Sequence, residues 1–215
     1  LDHSFPKEAS YFIAFLLIFV ACIFDFLDGF VARLTNSSSK IGLQLDSFSD
    51  LISFSIAPSF LMFDIMQNSE RFMSSILQED SLIPYFSFLL IPFAMYRLAK
   101  FNSGISMINF QGLPTPAVGL FFMSLPFLQI DLSHTILIIL IIIFSFLMVS
   151  TIEFYSIKIN VKDNMRFLLI LLILYVIVFL GLIIIEVDLL SFFSISIIIY
   201  VTLNLVLKIF TRKKL

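Results

Sequence analysis

Charge is scarce in this chain. Only 13% of its residues are Asp, Glu, Lys or Arg, whereas soluble domains carry about 25%. With 60% hydrophobic residues and a mean hydropathy of +1.09, an ordinary soluble domain is excluded and an integral membrane protein is expected. Histidine and cysteine are also short, at two and one. That excludes an intramolecular disulfide framework and leaves no cluster for zinc. Cys22 lies among apolar residues and reads as a small packing side chain. The net charge of −2 has no basic excess, and no nucleic-acid partner is expected. No internal repeat, low-complexity linker or second domain is visible, so residues 1–215 read as one membrane-embedded domain.

What is abundant is long apolar sequence. A spanning helix takes about 20 apolar residues. Seven runs qualify, from about Ala9 to Arg33, Gly42 to Met66, Leu82 to Asn102, Thr115 to Ile130, Thr135 to Glu153, Met165 to Ile185 and Leu189 to Phe210. The fourth is short and is expected to be tilted or irregular. A membrane β-barrel would show short alternating segments instead. The fold class expected is therefore an all-α polytopic transmembrane helix bundle. The first run is too long for a cleavable signal and holds Asp25 and Asp28.

Basic residues gather in alternate loops: Arg33 and Lys40; Arg97 and Lys100; Lys158, Lys162 and Arg166; then Lys208, Arg212, Lys213 and Lys214. The opposite side holds only Lys7 and Arg71, among many acids. Basic loops stay in the cytoplasm. The N-terminus is thus expected outside and the C-terminus inside a cytoplasmic (inner) membrane. The Asn36-Ser37-Ser38 glycosylation pattern falls in a cytoplasmic turn and is read as meaningless.

Against this apolar background, residues 25–50 read DFLDGFVARLTNSSSKIGLQLDSFSD. On a helix at about 100° per residue, Asp25, Asp28, Gly29, Ala32 and Arg33 share one stripe. Past a short turn, Gly42, Asp46 and Asp50 recur at steps of four and share a face of the next helix. Two such faces bring four carboxylates together. Clustered carboxylates raise each other's pKa, and charge at membrane depth costs a few kcal/mol or more. Divalent metal is the simplest compensation. Oxygen-only ligands suit magnesium, manganese or calcium. Two ions about 3.5–4 Å apart would clamp a phosphate during in-line displacement. A glycine inside a helix costs about 1 kcal/mol but lets a ligand approach the backbone. Gly29 and Ala32 leave room beside the aspartates, and Arg33 offers a fork of donors to phosphate. Small residues also serve close helix packing, and Gly29 and Gly42 stay open between the two roles. A lone Asp would read as an ion relay and a lone Arg33 as a boundary anchor; the conjunction of all eight positions separates this stretch from both.

The spacing D-x2-D-G-x2-A-R-x8-G-x3-D-x3-D is met in full by Asp25, Asp28, Gly29, Ala32, Arg33, Gly42, Asp46 and Asp50. It resembles the signature of the CDP-alcohol phosphatidyltransferase family. The resemblance implies transfer of a phosphatidyl group from a CDP-linked lipid to an alcohol, with release of CMP. It implies that Asp25, Asp28 and Asp46 hold two divalent cations, Mg2+ or Mn2+, with Ca2+ also fitting. It implies that Asp50 faces those metals and acts as base on the acceptor hydroxyl. Asp28, Gly29, Ala32, Arg33 and Gly42 would shape the CDP site. A homodimer is implied by the resemblance alone.

Three further stretches resemble the phosphatidylserine synthase branch: SDLISFSIAPS (Ser49 to Ser59), YRLAKFN (Tyr96 to Asn102) and GLPTPA (Gly112 to Ala117). The expected substrates are then CDP-diacylglycerol and L-serine. Serine needs a cation for its carboxylate and acceptors for its ammonium. Arg97 is the candidate for the carboxylate, with Asn102 assisting and Lys100 nearby; residues 96–117 form the acceptor side. Lys100 also reads as a positive-inside anchor and Asn102 as a helix cap. Pro114 and Pro116 read as a structural turn. Ser47, Ser49 and Ser53 could bond substrate or, more simply, their own helix. His134 is assigned nothing. Family members carry another helix before the one holding Asp25. Only Leu1 to Lys7 precede it here, so the first family helix is expected to be missing and the lipid or nucleotide pocket incomplete. Two rival readings remain. One keeps the chemistry with glycerol 3-phosphate or inositol phosphate as acceptor. The other is a metal-ion or proton transporter, which would place acids near mid-membrane on several helices. Here they lie on two adjacent helices toward one face, and apart from Glu153 the later helices are nearly free of acids.

Overall fold

Backbone groups in lipid must pair within their own segment, which leaves helices as the way to bury long apolar runs. A computed structural model of the chain describes residues 7–35, 39–68, 82–103, 111–130, 132–152, 154, 161–186 and 188–212. All seven expected spans fall on helical rods. They are α1 (Lys7–Thr35); α2 (Lys40–Leu51), which runs through a π-helical turn (Ile52–Ile56) into α3 (Ala57–Asn68); a 3-10 turn (Pro84–Leu89) leading into α4 (Leu90–Asn102); α5 (Thr115–Ser124) with a 3-10 tail (Leu125–Leu128); α6 (His134–Val149); α7 (Val161–Ile185); and α8 (Ser191–Arg212). Among the described residues, Lys7–Ala32 and Lys40–Gln67 are each long and apolar enough to cross a bilayer, and several shorter apolar helices accompany them. The Asn36-Ser37-Ser38 pattern, Glu153, and residues 104–110 of the expected acceptor side lie outside the described residues, as does the side chain of Arg33.

The expected irregularity of the fourth span has a local cause. Pro126 has no N–H to give the Phe122 carbonyl, and the N–H of Leu125 takes that oxygen instead. The helix tightens into 3-10 turns and stops at Gln129, whose φ is 53°. Short as it is, α5 is the hub. It packs against α1, α3, α8 and the π-helical turn, and Val118, Gly119, Phe121, Phe122 and Met123 are all buried. Phe121 stacks on Phe144 of α6 with ring centroids 4.0 Å apart. A Cβ added at Gly119 would lie 2.8 Å from the Cα of Phe54, in the middle of the π-helical turn. The two helices can approach this closely because the residue has no side chain. Ser124 and Ser194 tie α5 to α8 through an Oγ–Oγ hydrogen bond of 2.9 Å.

The fifth span ends sooner than expected. Its helix stops at Val149 rather than near Glu153, because Ser150 turns out into extended backbone (φ −62°, ψ 152°). The freed carbonyls are put to use. The N–H of Gly112 donates to Ile152 O at 2.9 Å, and that of Leu113 to Leu147 O at 3.0 Å. The strand-like stretch before α5 is thereby docked on the end of α6. Gly112 has φ +77°, and a Cβ there would run into the carbonyl oxygen of Met148. Only glycine fits.

At the other end of the bundle, Tyr11 of α1 donates to Asp64 Oδ2 of α3 at 2.8 Å. A ring nitrogen of His134 lies 2.9 Å from Met66 O. Both contacts tie helices together. Large apolar side chains on the outer face of α1, among them Leu17, Phe26 and Leu34, are exposed and suited to lipid.

Gly119→Ala and Gly112→Ala are each expected to lower stability by about 1–3 kcal/mol, from overpacking in the first and from strain plus overlap in the second. Thermal unfolding of the detergent-solubilised variants measures this.

Candidate metal centre

The acidic stripe of α1 and the acidic face of α2 do meet. Asp25 and Asp28 lie one turn apart on α1, and Asp46 lies on α2. Their carboxylate oxygens come within 4.8 Å of one another. Asp25 and Asp46 are half-buried and Asp28 is exposed, so the group opens to one side. Asp50, one turn beyond Asp46, is at hydrogen-bonding range of the Asp25 carboxyl. It sits deeper than the other three and adjoins the group rather than sharing its mouth.

Local sequence sets this arrangement. Ser39 adopts extended backbone (φ −121°, ψ 153°) and its Oγ accepts from the N–H of Gly42 at 2.9 Å, capping α2. The cap starts α2 in the register that turns Asp46 and Asp50 toward α1. Gly42 is exposed on the first turn, and among the described residues a Cβ there would meet Ser39 Oγ, at 3.0 Å. Gly29 and Ala32 are half-buried on α1. Directly after Asp50 and Leu51 the helix widens into the π-helical turn; such turns recur at functional sites because they re-aim the residues around them.

The third helix of the site is α4. Asp50 and Arg97 lie within electrostatic reach of each other. Arg97 is half-buried, and its Nη1 donates to Thr115 Oγ1 at the start of α5, at 3.4 Å. Asn102 does not cap α4, whose C-cap is Ser103. Its Nδ2 instead donates to Ser47 Oγ of α2 at 2.9 Å. Ser47 does bond its own helix, donating to Leu43 O at 3.1 Å, and thereby carries the contact with Asn102. Lys100 is half-buried on the last turn of α4; among the described residues its ammonium makes no hydrogen bond or ion pair. Two contributors were not foreseen as such. Thr115 was visible only as part of GLPTPA, and the pairing of Asn102 with Ser47 has no sequence signal.

Like charges this close stay ionised together only with a compensating cation; without one, a proton must neutralise part of the group. Three carboxylates converging within a few ångströms, with no nitrogen or sulfur among the donors, fit a hard divalent ion. A family model described as CDP-alcohol phosphatidyltransferase matches residues 3–210. The chain belongs to that family. CDP-alcohol phosphatidyltransferases are metal-dependent in general, which agrees with the donor set. Two relatives carry the name CDP-diacylglycerol–serine O-phosphatidyltransferase in Methanocaldococcus jannaschii (36% identical over 141 residues, 66% of this chain and 63% of that protein) and Bacillus subtilis (34% over 154 residues, 71% and 80%). A third, from Helicobacter pylori strain 26695, bears the same name and is 30% identical over 186 residues, 81% of this chain and 73% of its own. The match thus spans a little under two thirds of the Methanocaldococcus protein.

Asp28→Asn is expected to weaken divalent-ion binding about tenfold or more, since affinity follows ligand charge. Asp64→Asn, at the opposite end of α3, is expected to leave it unchanged. Titration of the purified protein with Mn2+, read by electron paramagnetic resonance, makes the comparison.

Proposed function

We propose that the chain transfers a phosphatidyl group from CDP-diacylglycerol to L-serine, giving phosphatidylserine and CMP. The observation that carries this reading is the convergence of Asp25, Asp28 and Asp46, with Asp50 at the inner edge and a guanidinium beyond it. The names of the relatives support serine as the acceptor.

Asp25, Asp28 and Asp46, joined by Asp50 on its inner side, are the residues that would hold two divalent cations, Mg2+ or Mn2+, with Ca2+ also fitting the donor set. When bound, such ions neutralise the pyrophosphate and the departing CMP. Asp28, Gly29, Ala32, Arg33 and Gly42 frame the nucleotide, the glycines giving close approach and Arg33 a phosphate donor. Asp50 takes the proton of the serine hydroxyl. The serine oxygen then forms a bond to the phosphorus that bears the diacylglycerol. The bond from that phosphorus to the bridging oxygen of the pyrophosphate breaks, and its electron pair leaves with CMP. Arg97 meets the serine carboxylate, with Lys100 and Asn102 on the turn that follows.

Residues 1–215 belong to one membrane-embedded domain in this reading. The charge pattern of the loops favours the inner membrane, with the aspartates toward the cytoplasm, where a water-soluble nucleotide and amino acid meet a lipid. Partners are membrane lipid and a second copy of the chain as a homodimer.

CMP release by the purified protein with CDP-diacylglycerol and Mn2+ or Mg2+ is the test. L-Serine, glycerol 3-phosphate and inositol phosphate are compared as acceptors. Release that needs serine, and falls about 100-fold or more in Asp50→Asn as expected for loss of a general base, supports the reading. Release with another acceptor keeps the chemistry and removes serine. Ion flux in vesicles without CMP release would favour transport instead.

A further inference from the structure

Two buried polar atoms beside the site have no partner among the described residues: Nε of Arg97 and Oδ1 of Asn102. Unpaired buried groups are rare and destabilising, and each needs a reason. Both side chains are held firmly at their other ends. Arg97 gives Nη1 to Thr115 Oγ1. Asn102 gives Nδ2 to Ser47 Oγ. The proton of the Ser47 hydroxyl is committed to Leu43 O, so the amide must present its NH2 group to that oxygen. Its carbonyl oxygen is thereby left free. Neither residue is buried as a whole, although both idle atoms are closed to solvent.

The partners of these side chains place them along one helix. Asp50, within reach of Arg97, and Ser47, bonded to Asn102, are three residues apart on α2 and face α4 together. The end of α4 therefore brings an idle cationic donor and an idle neutral acceptor to the face of α2 that carries the Asp50 carboxylate. An acceptor alcohol that is also a zwitterion has the complementary set of hydroxyl, carboxylate and ammonium. Glycerol 3-phosphate and inositol phosphate carry no cation, and could offer an amide oxygen only the weaker donor of a neutral hydroxyl.

We infer that Asn102 Oδ1 receives the ammonium group of the acceptor while Arg97 Nε receives its carboxylate, so that the site selects its alcohol as a zwitterion. The inference rests on the proposed phosphatidyl transfer to serine and deepens it. Asn102 touches substrate through one end of its amide and α2 through the other. Ser47 and Thr115 are positioning residues: they hold Asn102 and Arg97 with the idle atoms turned inward.

Steady-state kinetics on the wild type, Asn102→Leu and Asn102→Asp test this, with competition assays on the wild type. Loss of a hydrogen bond to a charged group predicts a rise of about 10- to 100-fold in the KM for L-serine in Asn102→Leu. The KM for CDP-diacylglycerol is expected to stay within about twofold, because the same contact is absent for that substrate. Asn102→Asp keeps an acceptor and recovers most of the serine affinity. Ethanolamine, which lacks the carboxylate, and 3-hydroxypropanoate, which lacks the ammonium, are each expected to compete at least about tenfold less well than serine binds. Equal rises in both KM values, a loss confined to kcat, or either analogue competing as well as serine would overturn the inference. If Asn102→Leu does not fold, Asn102→Asp and the two analogues decide it. Serine-dependent CMP release by the wild type tests the proposed function separately, so failure of one is distinguishable from failure of the other.

Discussion

Carboxylates near lipid have to be neutralised by something, and this chain gathers four of them on two adjacent helices. Separately, each would be a burden on its helix. Together, Asp25, Asp28 and Asp46 make a group of oxygens close enough to hold one ion. Much of the remaining architecture keeps α1 and α2 in that relation. Ser39 caps α2, the π-helical turn carries it into α3, and α5 packs on both α1 and that turn. A helix as short as α5 can do this because Gly119 brings its backbone onto Phe54.

The same scaffold ties the acidic group to α4 and to the start of α5. Gly112 and Leu113 dock on the unwound end of α6, which fixes where α5 begins. Thr115, at that beginning, receives Arg97, and Arg97 reaches toward Asp50. A contact far from the aspartates thus sets the direction of the guanidinium beside them. On the other flank Asn102 grips Ser47, one residue from Asp46. These contacts fix where Arg97 and Asn102 sit relative to the aspartates.

Much of this was legible in the sequence. Spacings of three and four residues put Asp25 with Asp28, and Asp46 with Asp50, on single helical faces. The apolar runs announced all seven rods, and the shortness of the fourth announced its irregularity. What escaped depends on contacts between distant segments. The early end of α6 at Ser150 goes with hydrogen bonds donated by Gly112 and Leu113, some forty residues upstream, and no local pattern marks it. The strict need for glycine at positions 112 and 119 comes from Met148 and Phe54. Asn102, at the end of α4, carries the local signal of a cap, and only the approach of α2 gives its amide a different partner.

The central claim is direct transfer: the serine oxygen itself becomes the new ester oxygen on phosphorus. The most direct measurement follows the label from L-serine carrying 18O in its hydroxyl, incubated with the protein, CDP-diacylglycerol and Mn2+. Mass spectrometry of the products is expected to find the label retained in phosphatidylserine and absent from CMP. Phosphatidic acid and CMP without labelled lipid would contradict the claim, because water rather than serine would then be the nucleophile that Asp50 serves.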